Sequence, residues 1–334
     1  MTTPYPLLME PIFKHRIWGG RELERLGKDL PDGEVIGESW EVADLPDTIE
    51  EGRNRILNGP LTGHTLRDLI EGEREMLLGL AQPAVDGGFP LLVKYLDARQ
   101  NLSVQVHPTP EYVETHPEAY LKSEAWIVID AEPGAMIYKG VRPAVTPEEF
   151  AVHIRTNEVV DDLISVPVQT GDCHYLPSGT CHALGAGIIV AEIQTPSDTT
   201  FRVYDWGRTG RELHVDEALE CIRFGVAPEE ASPAMPIETM SFRTTPLVET
   251  DYFTIERIEA REAAELPVVT DDLPVIWMMI AGRGTLAGGG EQLDLSTGAT
   301  IVLPAKLEDA AARLEPGCTL LHVTLPHPTR GMIA

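Results

Sequence analysis

The chain has 334 residues, 43% of them hydrophobic, enough for a sizeable core and for two or three domains. Fifty-three acidic residues against 26 basic ones leave a net charge of −27, which argues against nucleic acid or an anionic membrane surface as partner, since both attract positive charge. The longest nearly apolar run, Cys181–Ala191, falls well short of the ~20 residues that cross a bilayer. The N-terminus lacks the basic and continuously apolar regions of a secretory leader. Four cysteines with no CxxC spacing argue against a disulfide framework, so a cytoplasmic protein is expected.

In chain order, the first predicted element is a short helix over His64–Glu71. β-type runs follow at Leu91–Leu96, Leu102–His107 and Ala125–Asp130. Thr146-Pro147-Glu148-Glu149 has the form of a capping box with Pro at the first helical position, so a helix starts there with Phe150 and Ile154 on one face. Further β-type runs, Gly187–Ile193 and Thr200–Asp205, lead to a second helix at Leu213–Phe224. Residues 226–239, rich in Pro, Glu and Ala, read as a linker. Beyond it lie the runs Pro274–Ala281, Ala299–Leu303 and Cys318–Leu325, with Gly288–Gly290 as a hairpin turn. Many short strands with few helices indicate a mainly β fold. A short pattern also occurs twice: a strand opened by Trp126 or Trp277, then a Gly, five residues and a Pro, at Gly171–Pro177 and Gly298–Pro304. Two related β-barrels or jelly rolls are the simplest reading.

Three segments carry candidate chemistry. In Leu102–His107 the period of two puts Ser103, Gln105 and His107 on one strand face; such a polar face is ordinarily solvated, unless it looks into a barrel. Lys122, Glu124 and Trp126 share a face in the same way, provided the strand starts that early. The stretch 171–185, GDCHYLPSGTCHALG, holds two Cys-His pairs, and alone it suggests a metal knuckle.

Residues 171–182 satisfy G-x5-P-x-G-x2-H, through Gly171, Pro177, Gly179 and His182. This resembles the second signature motif of the cupin superfamily, whose His is a metal ligand. By the same resemblance Gln105, His107 and Glu124 occupy the first motif, with Gln in place of its first His. Four N and O donors suit Zn²⁺ or another borderline divalent metal. In the second half the positions that align with Glu124 and His182 are Val275 and Asp309, so the second barrel is expected to be a structural or lid-forming module without metal. On this reading Cys173 and Cys181 are small buried hydrophobes.

The segments PIFKHRIWGG, IGESWEVAD, FPLLVKYLDARQNLSVQVHP, LKSEAW, PSGTCHALGAG and QTPSDTTFRVYDWGR, spread over residues 11–208, together resemble the class I-type mannose-6-phosphate isomerases in their short bacterial form. The resemblance implies two cupin-like jelly-roll β-barrels with a few short helices. The first, over 1–225, is the catalytic metal-binding domain with a helical insertion near 146–165, and the second, over 240–334, lacks metal ligands. It implies one divalent metal per chain, usually zinc, on Gln105, His107, Glu124 and His182. Lys122 and Arg202 take catalytic and substrate-binding positions, Ser103 lies near the substrate phosphate, and Glu192 and Asp198 flank the pocket. The reaction implied is interconversion of mannose 6-phosphate and fructose 6-phosphate through an enediol(ate), with Lys122, Glu192 or a water on the metal as base. The expected partner is a sugar phosphate, and the expected assembly a monomer or homodimer. Two other readings share the fold, a cupin metal-dependent oxygenase and a non-catalytic sugar-phosphate-binding protein. The Gln among the ligands and the flanking Lys and Arg weigh against the first, and the intact ligand set against the second.

Overall fold

A computed structural model describes residues 2–227 and 235–328. The architecture is mainly β, built as two sandwiches of facing sheets. In the first sandwich a six-stranded sheet runs, in order of pairing, Ile12–Gly20, Ile36–Val42, Leu92–Ala98, Ile188–Gln194, Glu124–Ala131, Cys173–Leu176. It faces a five-stranded sheet of Phe201–Tyr204, Val104–Val106, His182–Leu184, Met136–Val141 and Leu163–Pro167. These sheets keep separate edges rather than closing into the hydrogen-bonded barrels expected, because among the described residues no ladder joins one sheet of a pair to the other.

The second sandwich repeats the larger sheet strand for strand. Its order, Thr300–Leu303, Val275–Ala281, Thr319–Thr324, Thr254–Ala260, Phe242–Glu249, Ile237–Glu238, mirrors the six strands above read from the other end. Leu7–Leu8 adds a seventh strand by pairing with Ile301 and Val302. The facing sheet holds four strands, two of which, Arg283–Gly288 and Glu291–Ser296, form the hairpin expected at the glycines. Gly289 and Gly290 both have positive φ, the requirement of a two-residue turn matched to strand twist. Of the expected linker, 228–234 lies outside the described residues, and Ile237–Glu238 pairs with Thr244 and Arg243.

The predicted helices are present with shifted bounds. Pro147–Thr156 begins at the capping box, in which the Thr146 hydroxyl accepts from the Glu149 N–H and the Glu149 carboxylate accepts from the Thr146 N–H. Phe150 and Ile154 are its buried residues. Val215–Cys221 lies inside the predicted second helix. The helix expected at 64–71 runs from Leu66 to Leu78, through a non-helical break at Glu73. It continues because Met76, Leu77 and Leu78 bury against the same core as Leu66, Leu69 and Ile70.

That core lies between the two large sheets. Alternation sends Val93, Tyr95, Ala125, Ile127, Ala191 and Ile193 to the outer face of the first sheet, where they meet Ile255, Ile276, Met278, Leu321 and Val323 from the second. Covered on both faces, Leu92–Ala98 is buried at every position. A buried ion pair crosses the same seam. Lys28 Nζ donates to Glu41 Oε2 at 2.7 Å and to the Gly298 carbonyl at 2.6 Å, and Thr300 Oγ1 donates to Glu41 Oε2 at 3.0 Å. Lys28→Ala is expected to destabilise the protein by about 3–5 kcal/mol, because Glu41 would stay buried with its charge uncompensated; urea unfolding of the two proteins measures this, and an unchanged midpoint would refute it.

Candidate metal and substrate site

Inside the first sandwich the inward positions change character along each strand. Strand 188–194 presents Ile188 and Val190, then Glu192 and Gln194; strand 124–131 presents Val128 and Trp126, then Glu124. The apolar ends form one core cluster with Trp18, Leu96, Leu102 and Leu184. The opposite end of the interior is polar and charged.

Two rows of side chains face each other there. On the five-stranded sheet Arg202, Gln105, His182 and Lys139 stand side by side across neighbouring strands. On the six-stranded sheet the row is Trp40, Lys94, Glu192, Trp126, His174. His107 lies two residues beyond Gln105 and so on the same face. The turn 177–180 closes by a Thr180 N–H to Pro177 carbonyl bond of 3.0 Å, and the Gly179 N–H donates to the His107 carbonyl at 3.2 Å. Gly179 has φ +83°, and a Cβ there would lie 2.9 Å from the Cys221 carbonyl oxygen, so glycine is required for the turn that delivers His182.

His107, Glu124 and His182 converge, with their donor atoms within 4.8 Å of one another and each residue at most 1% exposed. His182 Nε2 lies 3.1 Å from Glu124 Oε1, and His107 Nε2 3.3 Å from Glu124 Oε2. The Gln105 carboxamide ends 3.3 Å from His182 Nε2. Both imidazoles are oriented from behind. His107 Nδ1 donates to the Thr199 carbonyl at 3.2 Å and His182 Nδ1 to the Thr180 carbonyl at 2.8 Å. A carbonyl only accepts, so each Nδ1 carries the proton and each Nε2 offers its lone pair inward. Burial, with the Lys122 charge beside it, pushes His107 down to about 3, which keeps the ring neutral. Burial would raise the Glu124 carboxyl, but Lys122 and the two histidines outweigh it and hold it well below the usual range. Neither Glu124 oxygen nor His107 Nε2 has a hydrogen bond of good geometry. Buried acceptors without donors are costly, and two neutral imidazoles, a carboxylate and an amide are a donor set for a divalent cation. The residues fit such an ion, and the carbonyls behind the histidines are the outer support that metal ligands require.

The other candidates fall around this cluster. Lys122, 5% exposed, lies just before the strand rather than in it, and its Nζ is 2.9 Å from Glu124 Oε2. Burial would lower its pKa, but Glu124 and then Glu192 raise it further, so it is a cation. Glu192 Oε2 accepts from Trp126 Nε1 at 2.9 Å, and its Oε1 lies 3.2 Å from Lys94 Nζ. Arg202 Nη1 donates to the Glu212 carbonyl at 2.8 Å, while its Nε is buried without a partner. Ser103 is buried. Asp198 is exposed, on the loop that also supplies the Thr199 carbonyl.

In the Cys-His stretch, Cys173 turns to the outer face and packs on the shared core, and Cys181 is buried. Burial pushes the Cys173 thiol up to about 12, so neither sulfur chemistry nor ligation centres on it. His174 stands beside Trp126, outside the three-residue cluster.

Comparison with known proteins gives the family. The family described as phosphomannose isomerase type I, catalytic domain, matches residues 7–126. Mannose-6-phosphate isomerase ManA of Bacillus subtilis is 35% identical over 329 residues, 97% of this chain and 100% of that one. The mannose-6-phosphate isomerase of Streptococcus mutans is 36% identical over 305 residues, 90% and 92% of the two chains. The chain belongs to the type I phosphomannose isomerases. The crystal structure of the Bacillus subtilis mannose 6-phosphate isomerase superposes with a TM-score of 0.86 at 31% identity, covering 96% of this chain and 99% of that one.

This phosphomannose isomerase also carries a charged group beside the cluster that sequence reading passed over. Lys94 Nζ lies between Glu192 and Glu38, at 3.2 and 4.0 Å, and 5.3 Å from the Trp40 ring. Glu38 accepts from Trp40 Nε1 at 2.6 Å and from Arg16 Nε at 2.8 Å. Burial would raise Glu38, but Lys94 and Arg16 hold it down at about 2. The sequence does hold a signal for these residues: a lysine in the middle of LLVKYL and a glutamate in IGESWEV, charges inside β runs whose strands are buried throughout.

Proposed function

We infer that the protein is a metal-dependent aldose–ketose isomerase that interconverts mannose 6-phosphate and fructose 6-phosphate. One observation carries the mechanism: two imidazole lone pairs and a carboxylate without a hydrogen bond of good geometry converge at a buried site beside the Lys122 cation. Gln105, His107, Glu124 and His182 would hold the ion, which we propose to be Zn²⁺. Bound there, it supplies Lewis-acid polarisation of the sugar's carbonyl and hydroxyl oxygens.

The chain's own groups do the rest. Isomerisation moves a proton between C1 and C2 and leaves negative charge on oxygen in the enediolate. The Lys122 ammonium sits where it offsets that charge, and low exposure makes the offset larger than in water. The free Nε edge of Arg202, on the row of Gln105 and His182, offers a second cation for the substrate. Ser103 adds a hydroxyl for the phosphate. Glu192, fixed by Trp126 and Lys94, keeps one oxygen free of hydrogen bonds to accept from a sugar hydroxyl. The phosphate must be captured against a net charge of −27, which salt screens beyond ~10 Å at 0.1 M. The four free thiols support a reducing, cytoplasmic compartment.

The test is a metal series. Protein stripped by a chelator is expected to lose conversion of mannose 6-phosphate to fructose 6-phosphate and to regain it with one equivalent of Zn²⁺ per chain. Absence of turnover with every divalent ion tried would sink the assignment.

A further inference from the structure

We propose that the second sandwich contains a binding pocket for a neutral saccharide, distinct from the isomerase site in both ligand and charge. The matched strand orders give the correspondence. Trp126, Glu192, Lys94 and Trp40 stand in register across four strands of the first sandwich, and Trp277, His322, Glu256 and Pro246 stand in register across the equivalent four. The indole does the same thing in both. Trp126 Nε1 donates to Glu192 on the next strand at 2.9 Å, and Trp277 Nε1 donates to His322 Nδ1 at 2.9 Å. The second row is not filled in by apolar side chains. It opens into a cavity of about 1280 Å³ lined by Trp277, His322, Glu256 and the threonines 244, 254 and 324. That exceeds the roughly 300–1,000 Å³ usual for small-molecule sites, so one or two sugar rings have room.

The chemistry of the lining selects the ligand. Its acids are Glu249, Asp251, Glu256 and Asp271, and no Lys or Arg lines it among the described residues. Where the isomerase row has Lys94, this row has Glu256. A phosphorylated sugar is therefore repelled. His322, with Nδ1 accepting from the indole, carries its proton on Nε2 and presents a donor, which an ammonium group cannot use and a sugar oxygen can. Burial pushes His322 down to about 4, so the ring stays in that neutral form. Among the described residues, Glu256 and Thr244, Thr254 and Thr324 have no side-chain hydrogen bond or ion pair. A donor, a carboxylate and three hydroxyls, set against Ile258 and Leu266, match a molecule whose hydroxyls both donate and accept and whose ring faces are apolar. The ligand position of Glu124 is matched here by Val275, both being two residues before the tryptophan, so the isomerase's donor set is not repeated.

The full-length protein, labelled with ¹⁵N at the tryptophan indoles, provides the test, with D-mannose and mannobiose as probes. The Trp277 signal, assigned by Trp277→Phe, is expected to shift saturably with at least one of these sugars. Glu256→Gln and Thr254→Val are each expected to weaken that binding roughly ten-fold, the size of one lost hydrogen bond, while leaving isomerase kcat/KM unchanged. Mannose 6-phosphate is expected to leave the Trp277 signal in place. A Trp277 signal unmoved by both neutral sugars, a shift that survives both substitutions, or an equal response to mannose 6-phosphate would each overturn the proposal.

Discussion

Glu124→Ala is expected to abolish metal binding and turnover together, with a fall in kcat/KM on the order of 10³-fold or more. Glu124 is the only anion in the three-residue cluster, and its two oxygens face His182 and His107 separately. Without it the two neutral imidazoles and the Gln105 amide have no charge to offer a dication. The substitution also leaves the Lys122 ammonium in a buried site with its nearest partner gone, a change that typically costs about 3–5 kcal/mol. Loss of fold is therefore a rival explanation for lost activity, and His182→Ala separates the two. It removes one ligand while Glu124 and Lys122 remain paired, so it should also lose metal and turnover, with a smaller stability loss. Metal content per chain, the melting curve and the isomerase rate measured on the same samples decide the matter. A folded His182→Ala protein that keeps its metal and its rate would exclude this cluster as the metal site.

The same cluster shows how far the sequence could be read. The candidate ligands were legible through motifs: the resemblance carried by G-x5-P-x-G-x2-H and by QVH and Glu124 singles out Gln105, His107, Glu124 and His182, whereas period two alone leaves Gln105 and His107 on a face that is ordinarily solvated. The Cys-His pairs were separable through the same motif, which takes only His182, and the strand geometry accounts for the rest. Alternation in Cys173–Leu176 sends Cys173 outward to the shared core and His174 inward beside Trp126. Glu38, Lys94 and Trp40 were not singled out, because their meaning depends on which strands become neighbours. Lys94 looks like one polar residue in an apolar run until Glu192 and Trp40 are placed on either side of it by strand order. The closed barrels expected from the motif grammar failed for the reverse reason. The grammar specifies strands and turns, but whether edge strands pair is a long-range outcome with no local code. Pairing of Leu7–Leu8 with Ile301 and Val302, nearly the full chain length away, is the extreme case.

Arg202→Ala is expected to keep the metal and lose turnover, by roughly 10²–10³-fold in kcat. Arg202 is next to Gln105 in the strand register, yet its guanidinium is held elsewhere, by the Glu212 carbonyl, with no hydrogen bond or ion pair to His107, Glu124 or His182 among the described residues. Metal content should therefore match the unsubstituted protein. Burial, with the repulsion of Arg211, lowers its pKa from the ordinary arginine value, but the guanidinium remains charged at neutral pH. Desolvation of this kind raises the free energy of the unliganded site and is relieved when an anion arrives. The effect should therefore be largest where negative charge on the substrate is greatest. If that charge is the enediolate, kcat falls and KM changes little; if it is the phosphate, KM rises and kcat holds. Its place on the row of Gln105 and His182 puts Arg202 at the reacting end, which predicts the first pattern. Arg202→Lys should recover part of the rate, since it restores charge without the planar fork. An Arg202→Ala protein with metal, fold and an unchanged kcat would remove Arg202 from the catalytic machinery.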